Sequence, residues 1–579
     1  MHNSTILLTT RKVNVAAAKQ KGTGRKNING LDDGQVTANP DEVKPLEIRE
    51  VKPQTVSCNV AGHELVDFGQ AAFGWLELAG EGEYEILVGE MTNGEGRVAN
   101  EYPGSTIYVR SLKGVAPGLK NYRAPFAQDL DLIAYHGWDV RELEIKLPKH
   151  IGEITPFRFA EIVKAPCTGR ELRQQAVNYP MDMKKGLLAS DNQDLVRLYD
   201  FCKHSIRATS FCGYYVDGDR ERRPYEADAY INQLCQYAFD DDYSLARRTH
   251  EYLMQHPTWP TEWKQHSIMM AWADWMWTGD TASLRRNYDK LKNGKLDAGW
   301  RAREDGLLVT SGASGRGDRD IVDWPEAERD GFDFRRVNAV VNAFRYRNLK
   351  EMRDIAEVMD EPKDAAEFAA LAERVKTAFD KAFYNPESGL YVDGEGSKHS
   401  SLHANAAALA FGLVPPERQS KVADFLEKKG MVCSVYFAQY YLEALYAAGR
   451  DEAAMKLMLA HGERSWLGML DFGSTITMEA WNMASKPNQD LNHPWGAVPL
   501  NLISRYVLGI TPLKPGFAKV LVKPQPGGIS RIEGSVPTIR GPVTVKIDGD
   551  RLTVTTKAPA TVIWRGKTYE MHPGTQNFE

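Results

Sequence analysis

Residues 334–359 read FRRVNAVVNAFRYRNLKEMRDIAEVM, and after a short break at Pro362 residues 365–384 read AAEFAALAERVKTAFDKAFY. In both, apolar residues recur every three to four positions, as in Leu349, Met352, Ile355 and Met359. That period predicts amphipathic helices packed by one face. The same spacing runs through QDLVRLYDFCKHSIRATS (193–210), YINQLCQYAFDDDYSLARRTHEYLMQ (230–255) and SIMMAWADWMWTGD (267–280). It continues in HANAAALAFGLV (403–414), FAQYYLEALYAAG (437–449) and DEAAMKLMLAHG (451–462). Short loops marked by glycine or proline separate these stretches. About a dozen helices over some 330 residues, with no fixed repeat length, fit an (α/α)6 barrel better than a solenoid. Such a toroid places its site in the funnel formed by loops at one end.

Outward from the helices the pattern changes. VSCNVAGHELVDFGQ (56–70), GWLELAG (74–80), YEILVGEM (84–91) and STIYVRSL (105–112) alternate and break at glycine, which is strand-and-turn language. Strands return in AKVLVKP (518–524), TVKIDG (544–549), RLTVTT (551–556) and ATVIWRG (560–566). The expected organisation is a polar leader over 1–45, an N-terminal β-sandwich over 46–178, the helical barrel over 179–511 and a C-terminal β domain over 512–579.

A length of 579 residues calls for several domains. A formal net charge of −5 and a pI near 6.3 give no electrostatic footprint for nucleic acid or an anionic membrane. No stretch reaches the apolar length needed to span a bilayer. The first thirty residues carry only the short apolar run ILLT, so the expected location is cytoplasmic as written, or periplasmic or secreted if the start of the chain is misassigned. The six scattered cysteines form no CxxC pair, which points to buried or inert thiols rather than to zinc or disulfides.

Two stretches carry the chemistry. DGDRERRPYEAD (217–228) crowds five acidic groups and three arginines around Pro224, between two helical patterns. A solvated surface helix would rarely hold a proline inside such a run. Either the segment is an ion-pair network at the barrel rim, or it is a pocket whose carboxylates are tuned apart by their neighbours, as glycosidic bond cleavage requires. Glu221, flanked by Arg220 and Arg222, has Asp217 four residues before it and Asp228 seven after; Glu226 is its competitor in the same loop. DFGSTITMEAWNMASKPNQDLNHPWGAVP (471–499) sets Glu479 among apolar and aromatic residues, with Trp481, His493 and Trp495 following. The other reading of Glu479 is a helix-capping residue. Trp259 and Trp263 are candidate platforms for sugar rings, whereas Trp272, Trp275 and Trp277 have the spacing of core residues. IVDWPEAERDGF (321–332) adds Asp323 and Trp324. His399 and His403, four apart with no third ligand, read as packing or rim residues rather than metal ligands.

Together these stretches resemble glycoside hydrolase family 78, the α-L-rhamnosidases. The similarity extends through LNHPWGAVPLNLISRYVLGITPLKPGFAKVLVKPQPG (491–527), LVDFGQAAFGWLEL (65–78) and FRFAEIV (157–163), and so spans the chain from about residue 60. It implies an inverting hydrolase of terminal rhamnosides with Glu221 as general acid and Glu479 as general base. Asp217, Arg220, Arg222, Asp228, Asp323 and His493 would then hold the sugar or orient the carboxylates, and Tyr225, Trp263, Trp324, Trp481 and Trp495 would supply apolar faces. An inverting pair implies carboxyl groups about 6.5–9.5 Å apart. Tyr225 stands where tryptophan is common, and Pro224 and Glu226 are unusual at their positions. The resemblance implies a carbohydrate partner, no cofactor and no catalytic metal, in a monomer or homodimer. Alternatives are an (α/α)6 glycosidase acting on another L-sugar or a uronide, a polysaccharide lyase, and a sugar-binding protein without turnover.

Overall fold

The computed structural model describes residues 44–98, 109–126, 145–314, 319–486 and 488–579; the expected leader lies almost wholly outside them. The first region contributes β1 (Glu47–Val51), β2 (Thr55–Cys58), β3 (Glu64–Gly89), β4 (Arg110–Arg123), β5 (Thr155–Lys164) and β6 (Arg173–Asn178). They form one antiparallel sheet in which β1, β6, β3 and β2 follow in order and β4 and β5 also pair with β3. The long β3 recurves until β5 lies between its two ends, so that Ala160 pairs with both Val66 and Val88. Gly80, at φ +95° with a register shift on either side, supplies a bend that a side chain would resist. One set of side chains (Val66, Phe68, Leu76, Ile86, Val88, Phe157) packs within the sheet. Phe73, Trp75, Ile151 and Ile154 instead bury Phe211, Cys212, Tyr214 and Val216. Phe73 stacks on Phe211 at 3.7 Å between ring centroids. The sheet thereby grips the segment that leads into 217–228.

The middle region holds α1 (Gln193–Thr209), α2 (Glu226–Tyr237), α3 (Ser244–Gln255), α4 (Thr261–Thr278), α5 (Ala282–Lys290), α6 (Ala339–Val358), α7 (Pro362–Phe383), α8 (Leu402–Ala410), α9 (Pro416–Lys429), α10 (Ala438–Ala447), α11 (Asp451–Met458), α12 (Trp466–Asp471) and α13 (Val498–Leu502). Two kinds of helix alternate. Both α2 and α13 bury every residue, and α8 and α10 all but the last. By contrast α7 buries only Ala365, Phe368, Ala372, Val375, Ala378, Phe379 and Phe383, the stripe of a helix packed on one side. Contacts among the deeply buried set run α2–α4–α6–α8–α10–α13 and return to α2. Short caps set the starts: Asn192 accepts from Leu195 N, Asn338 from Val341 N and Ser401 from Ala404 N.

Beyond the helices lie two sheets. One runs in the order Ile510–Lys514, Lys519–Val522, Ala560–Trp564 and Lys567–Met571. The other runs Gly574–Phe578, Arg551–Thr556, Val543–Asp548 and Arg531–Val536, and its edge is β7 (Leu188–Ser190), from the start of the middle region. The strand-and-turn reading of the C-terminus did not foresee this edge strand, which comes from more than 300 residues upstream. No helix among the described residues is long and apolar enough to cross a membrane.

Candidate active site

The segment 210–225 is irregular and ends where α2 begins. Asp217 closes it: its backbone N–H donates to Arg223 O at 3.0 Å, and its carboxylate accepts from Arg223 N–H at 2.9 Å. The second segment closes in the same way. His493 N–H donates to Thr477 O and Glu479 N–H to Asp490 O, while the Thr477 N–H donates to Ser205 Oγ of α1. Glu479 thus sits in a looped segment and caps no helix.

The two loops face one cavity of about 520 Å3, lined by Asp217, Arg220, Glu221, Arg223, Tyr225, Asp228, Trp259, Trp263, Ile321, Trp324, Glu326, Glu479, Lys486, Asn488, His493 and Trp495. A slightly larger hollow between Arg303 and α7, about 600 Å3, has no aromatic side chain in its lining. Glu221 and Glu479, 258 positions apart in the chain, meet on one guanidinium. Arg220 grips Glu479 in a fork, Nη1 to Oε2 at 2.9 Å and Nη2 to Oε1 at 3.0 Å, and the same Nη2 lies 3.7 Å from Glu221 Oε1. Those two oxygens are therefore no more than the sum of the two distances, 6.7 Å, apart. The Tyr225 hydroxyl donates to Glu221 Oε2.

Glu479 also accepts from Lys486 Nζ and from Asp490 N–H, each at 3.0 Å on Oε2. Burial opposes its ionisation, but Arg220, Lys486 and His493 overcome burial and hold the carboxyl well below the usual glutamate range. The neighbouring acids go the other way. Burial, with Glu221 and Asp490 beside it, pushes Asp217 well above the aspartate range, and burial raises Asp228 against the opposing bond from His493. Burial likewise moves Asp490 up to about 6. One cavity thus holds a firmly ionised carboxylate next to two acids, Asp217 and Asp228, whose carboxyls are shifted in the opposite direction.

Aromatic rings form the walls. Tyr225, Trp263 and Trp495 meet edge to face, with centroids 5.5 and 6.3 Å apart, and His493 lies 4.5 Å from the Trp495 ring while bonding Asp228 at 2.9 Å. Trp324 completes the lining. Three expected site residues lie elsewhere. Arg222 turns away from the cavity to Asp219, Glu153 and the Ile154 carbonyl, tying its loop to the N-terminal sheet. Its φ of +47° is costly for a side-chain-bearing residue, and these bonds hold it there. Asp323 is wholly buried and spends its carboxylate on His403, on Ser434 and on the Trp324 N–H. Trp481 donates to Cys433 O and packs on Trp466, facing a different hollow. The competitor Glu226 is also spent, on Thr258 and Lys295, outside the cavity.

Arg223, Lys486, Asn488, Glu326 and Ile321 line the cavity without having been singled out, and Asp490 bonds Glu479 just behind it. Lys486 and Asp490 lie within the quoted 471–499 segment, so its charge pattern was the available signal. Glu479, Asp490 and His493 offer ligand atoms within 4.8 Å of one another. Arg220 and Lys486 already neutralise Glu479, so this trio is an ion-paired cluster, poorly suited to a cation. Burial raises the thiols of Cys202, Cys235 and Cys433 above their ordinary range, in keeping with inert cysteines.

A ring of paired helices opening onto a carboxylate- and indole-lined cavity defines a six-hairpin glycosidase domain. The sequence profile of the bacterial alpha-L-rhamnosidase 6 hairpin glycosidase domain matches residues 183–507, and that of the bacterial alpha-L-rhamnosidase C-terminal domain matches residues 509–564. The chain belongs to this bacterial alpha-L-rhamnosidase family. An alpha-L-rhamnosidase of Alteromonas sp. (strain LOR) is 24% identical over 577 residues, covering 89% of this chain and 56% of that protein. Among solved structures, the Streptomyces avermitilis alpha-L-rhamnosidase complexed with L-rhamnose superposes with a TM-score of 0.74 at 15% identity, covering 94% of this chain and 54% of that one. The alpha-L-rhamnosidase from Dictyoglumus thermophilum gives 0.71 at 16% identity, covering 92% and 64%. The chain spans roughly half to two thirds of the length of these relatives.

Proposed function

We propose that this chain is a glycoside hydrolase that removes terminal α-L-rhamnosyl residues, with Glu221 as general acid and Glu479 as general base. Its framework is an (α/α)6 toroid between two β-sandwich domains, divided near residues 178 and 511. One observation carries the reading: two glutamates from distant loops converge on Arg220 in an aromatic-walled cavity.

The division of labour follows from the surroundings. Glu221 faces the cavity with Tyr225 as its hydrogen-bond donor, and its role is to protonate the departing glycosidic oxygen. Glu479 stays ionised. A carboxylate offers about four lone-pair sites; three donors occupy Oε2 and one occupies Oε1, which leaves a site on Oε1 for the attacking water. Asp228 with His493 serves to hold ring hydroxyls, and Trp263, Trp324 and Trp495 to cover the apolar sugar face. The bound of 6.7 Å on the carboxylate oxygens spans the retaining spacing of about 5–5.5 Å and the lower edge of the inverting range. Inversion therefore rests on the family resemblance, and the first anomer released decides it.

The test is hydrolysis of para-nitrophenyl α-L-rhamnoside, followed by NMR. Inverted rhamnose supports both roles, and retained configuration removes the water-activating role of Glu479. Glu221→Gln and Glu479→Gln are expected to lose about 10²–10⁴-fold in kcat with native circular dichroism. Near-native rates in either variant overturn its assignment, and no turnover by the folded wild-type protein overturns the rhamnoside reading.

A further inference from the structure

The cavity has three cationic side chains in its lining, and they are not equivalent. Arg220 is engaged by Glu479, Glu221 and the Asn488 carbonyl, and Lys486 by Glu479 and the same carbonyl. Arg223 is different. Its backbone is fastened at both ends to Asp217, but its guanidinium has no hydrogen-bond or ion-pair partner among the described residues. It lies over the Tyr225 ring, with Cζ 5.1 Å from the centroid. A guanidinium held over an aromatic face keeps N–H donors available, and its planar fork can receive a carboxylate through two parallel bonds. Glu326, an acid of the same lining, is paired with Arg329 at 3.3 Å.

The position of Arg223 says which part of a substrate it meets. Tyr225 donates to Glu221, and Arg223 lies over that same tyrosine. If Glu221 protonates the glycosidic oxygen, the departing group sits beside Glu221 and Tyr225, next to the ring that Arg223 overlies. Resting on the hydrolase reading above, we infer that Arg223 is a specificity residue for an acidic leaving group, receiving the carboxylate of a uronic acid to which the terminal sugar is bonded. The bond cleaved and the catalytic pair are unchanged; what is added is a charged anchor on the leaving-group side, which makes rhamnosyl uronates the preferred substrate class.

The experiment compares two disaccharides, an α-L-rhamnosyl uronate and the same compound with its carboxyl reduced to the alcohol, against wild type, Arg223→Gln and Arg223→Lys. Wild type is expected to favour the uronate by about 10–100-fold in kcat/KM. Arg223→Gln is expected to bring that ratio near one, and Arg223→Lys to keep only part of it, because a lysine loses the planar fork. A wild-type ratio near one, or a ratio that survives Arg223→Gln, overturns the inference while leaving the hydrolase reading intact. If the folded wild type cleaves neither disaccharide, the hydrolase reading falls, and binding decides the inference. Calorimetric titration with a methyl uronide should then be weakened at least tenfold by Arg223→Gln, and equal affinity for both proteins overturns it.

Discussion

Arg220 sets the electrostatic state of the site. Its fork onto Glu479 is the first-ranking attraction that offsets the burial of that carboxyl, with Lys486 and His493 adding to it. A base must be ionised to act, so the acid limb of the kcat/KM profile should lie below the ordinary glutamate pKa in the wild type. Removing the guanidinium leaves burial less opposed and raises the carboxyl. Arg220→Met is therefore expected to move the acid limb to higher pH and to lower kcat by about 10²-fold, as loss of a preorganised charge does. A pH–rate series checks this; an unmoved acid limb would place the essential ionised group elsewhere. At this scale much of the site was legible. Glu221, Tyr225, Asp228, Glu479, His493, Trp259, Trp263, Trp324 and Trp495 stood out as residue types with chemical uses in a recognisable order. Arg222 was not distinguishable from Arg220 or Arg223, because three arginines within four positions look alike until the backbone at φ +47° turns one of them toward the N-terminal sheet.

Among the elements, the helices read best where only one face is buried. The stripe of α7 was visible as a three-to-four period because its other face is polar. Helices α4 and α8 are buried on most sides and carry apolar residues all round, so their extent came from their neighbours. The stretch 230–255 read as continuous, but it holds α2 and α3 with Asp240, Asp241 and Asp242 in the turn between them. The short helices α12 and α13 were missed, since a few residues do not establish a period, and the longer α9 was missed because only Val422, Ala423 and Leu426 of it are buried. The start of α6 offers a stability test. Asn338 caps the helix through Val341 N–H at 2.9 Å, and its amide also donates to the buried Asp320 at 2.6 Å. Asn338→Ala removes both and leaves Asp320 short of a donor, an expected cost of roughly 2–4 kcal/mol. Ser401→Ala, which loses a cap bond at α8, is expected to cost only about 1 kcal/mol. Urea titrations of the two variants check the difference, and equal costs would remove Asp320 from the account.

For the molecule as a whole, the N-terminal sheet works as a buttress. It packs Phe73 on Phe211, holds Arg222 through Ile154 and Glu153, and sends Glu90 from the end of β3 to Asn492, whose side chain in turn accepts from Asp219 N–H. Burial, with Asp219 and Asp490 nearby, pushes Glu90 up to about 8. The folded protein therefore keeps a proton on Glu90 that the unfolded chain releases near the ordinary glutamate value. The stabilisation this group provides is complete below that value and is lost as pH rises toward 8. Glu262, also raised by burial to about 8, and Asp490, raised to about 6, act in the same direction. Glu90→Gln keeps an acceptor for Asn492 and removes the titration. Its unfolding free energy, read from denaturant titrations, should fall less between pH 5 and pH 9 than that of the wild type, by an amount on the order of a few kcal/mol. Parallel slopes in the two proteins would place the pH dependence elsewhere.

The sequence alone determined what short-range pattern can carry: which stretches are helical, that strands flank them on both sides, and which two glutamates stand in motifs fit for glycosidic chemistry. Period, turn residues and residue type are local properties, and they are written in consecutive letters. Only the tertiary structure decided which neighbours those letters meet. It spent Glu226 on Thr258 and Lys295, buried Asp323 under Ser434 and His403, and carried β7 across to the C-terminal sheet. It brought Glu221 and Glu479 to one guanidinium and left Arg223 facing the cavity with its donors free among the described residues. Burial and charge act through space at a few ångströms, so the state of a carboxylate depends on groups hundreds of residues away in the chain.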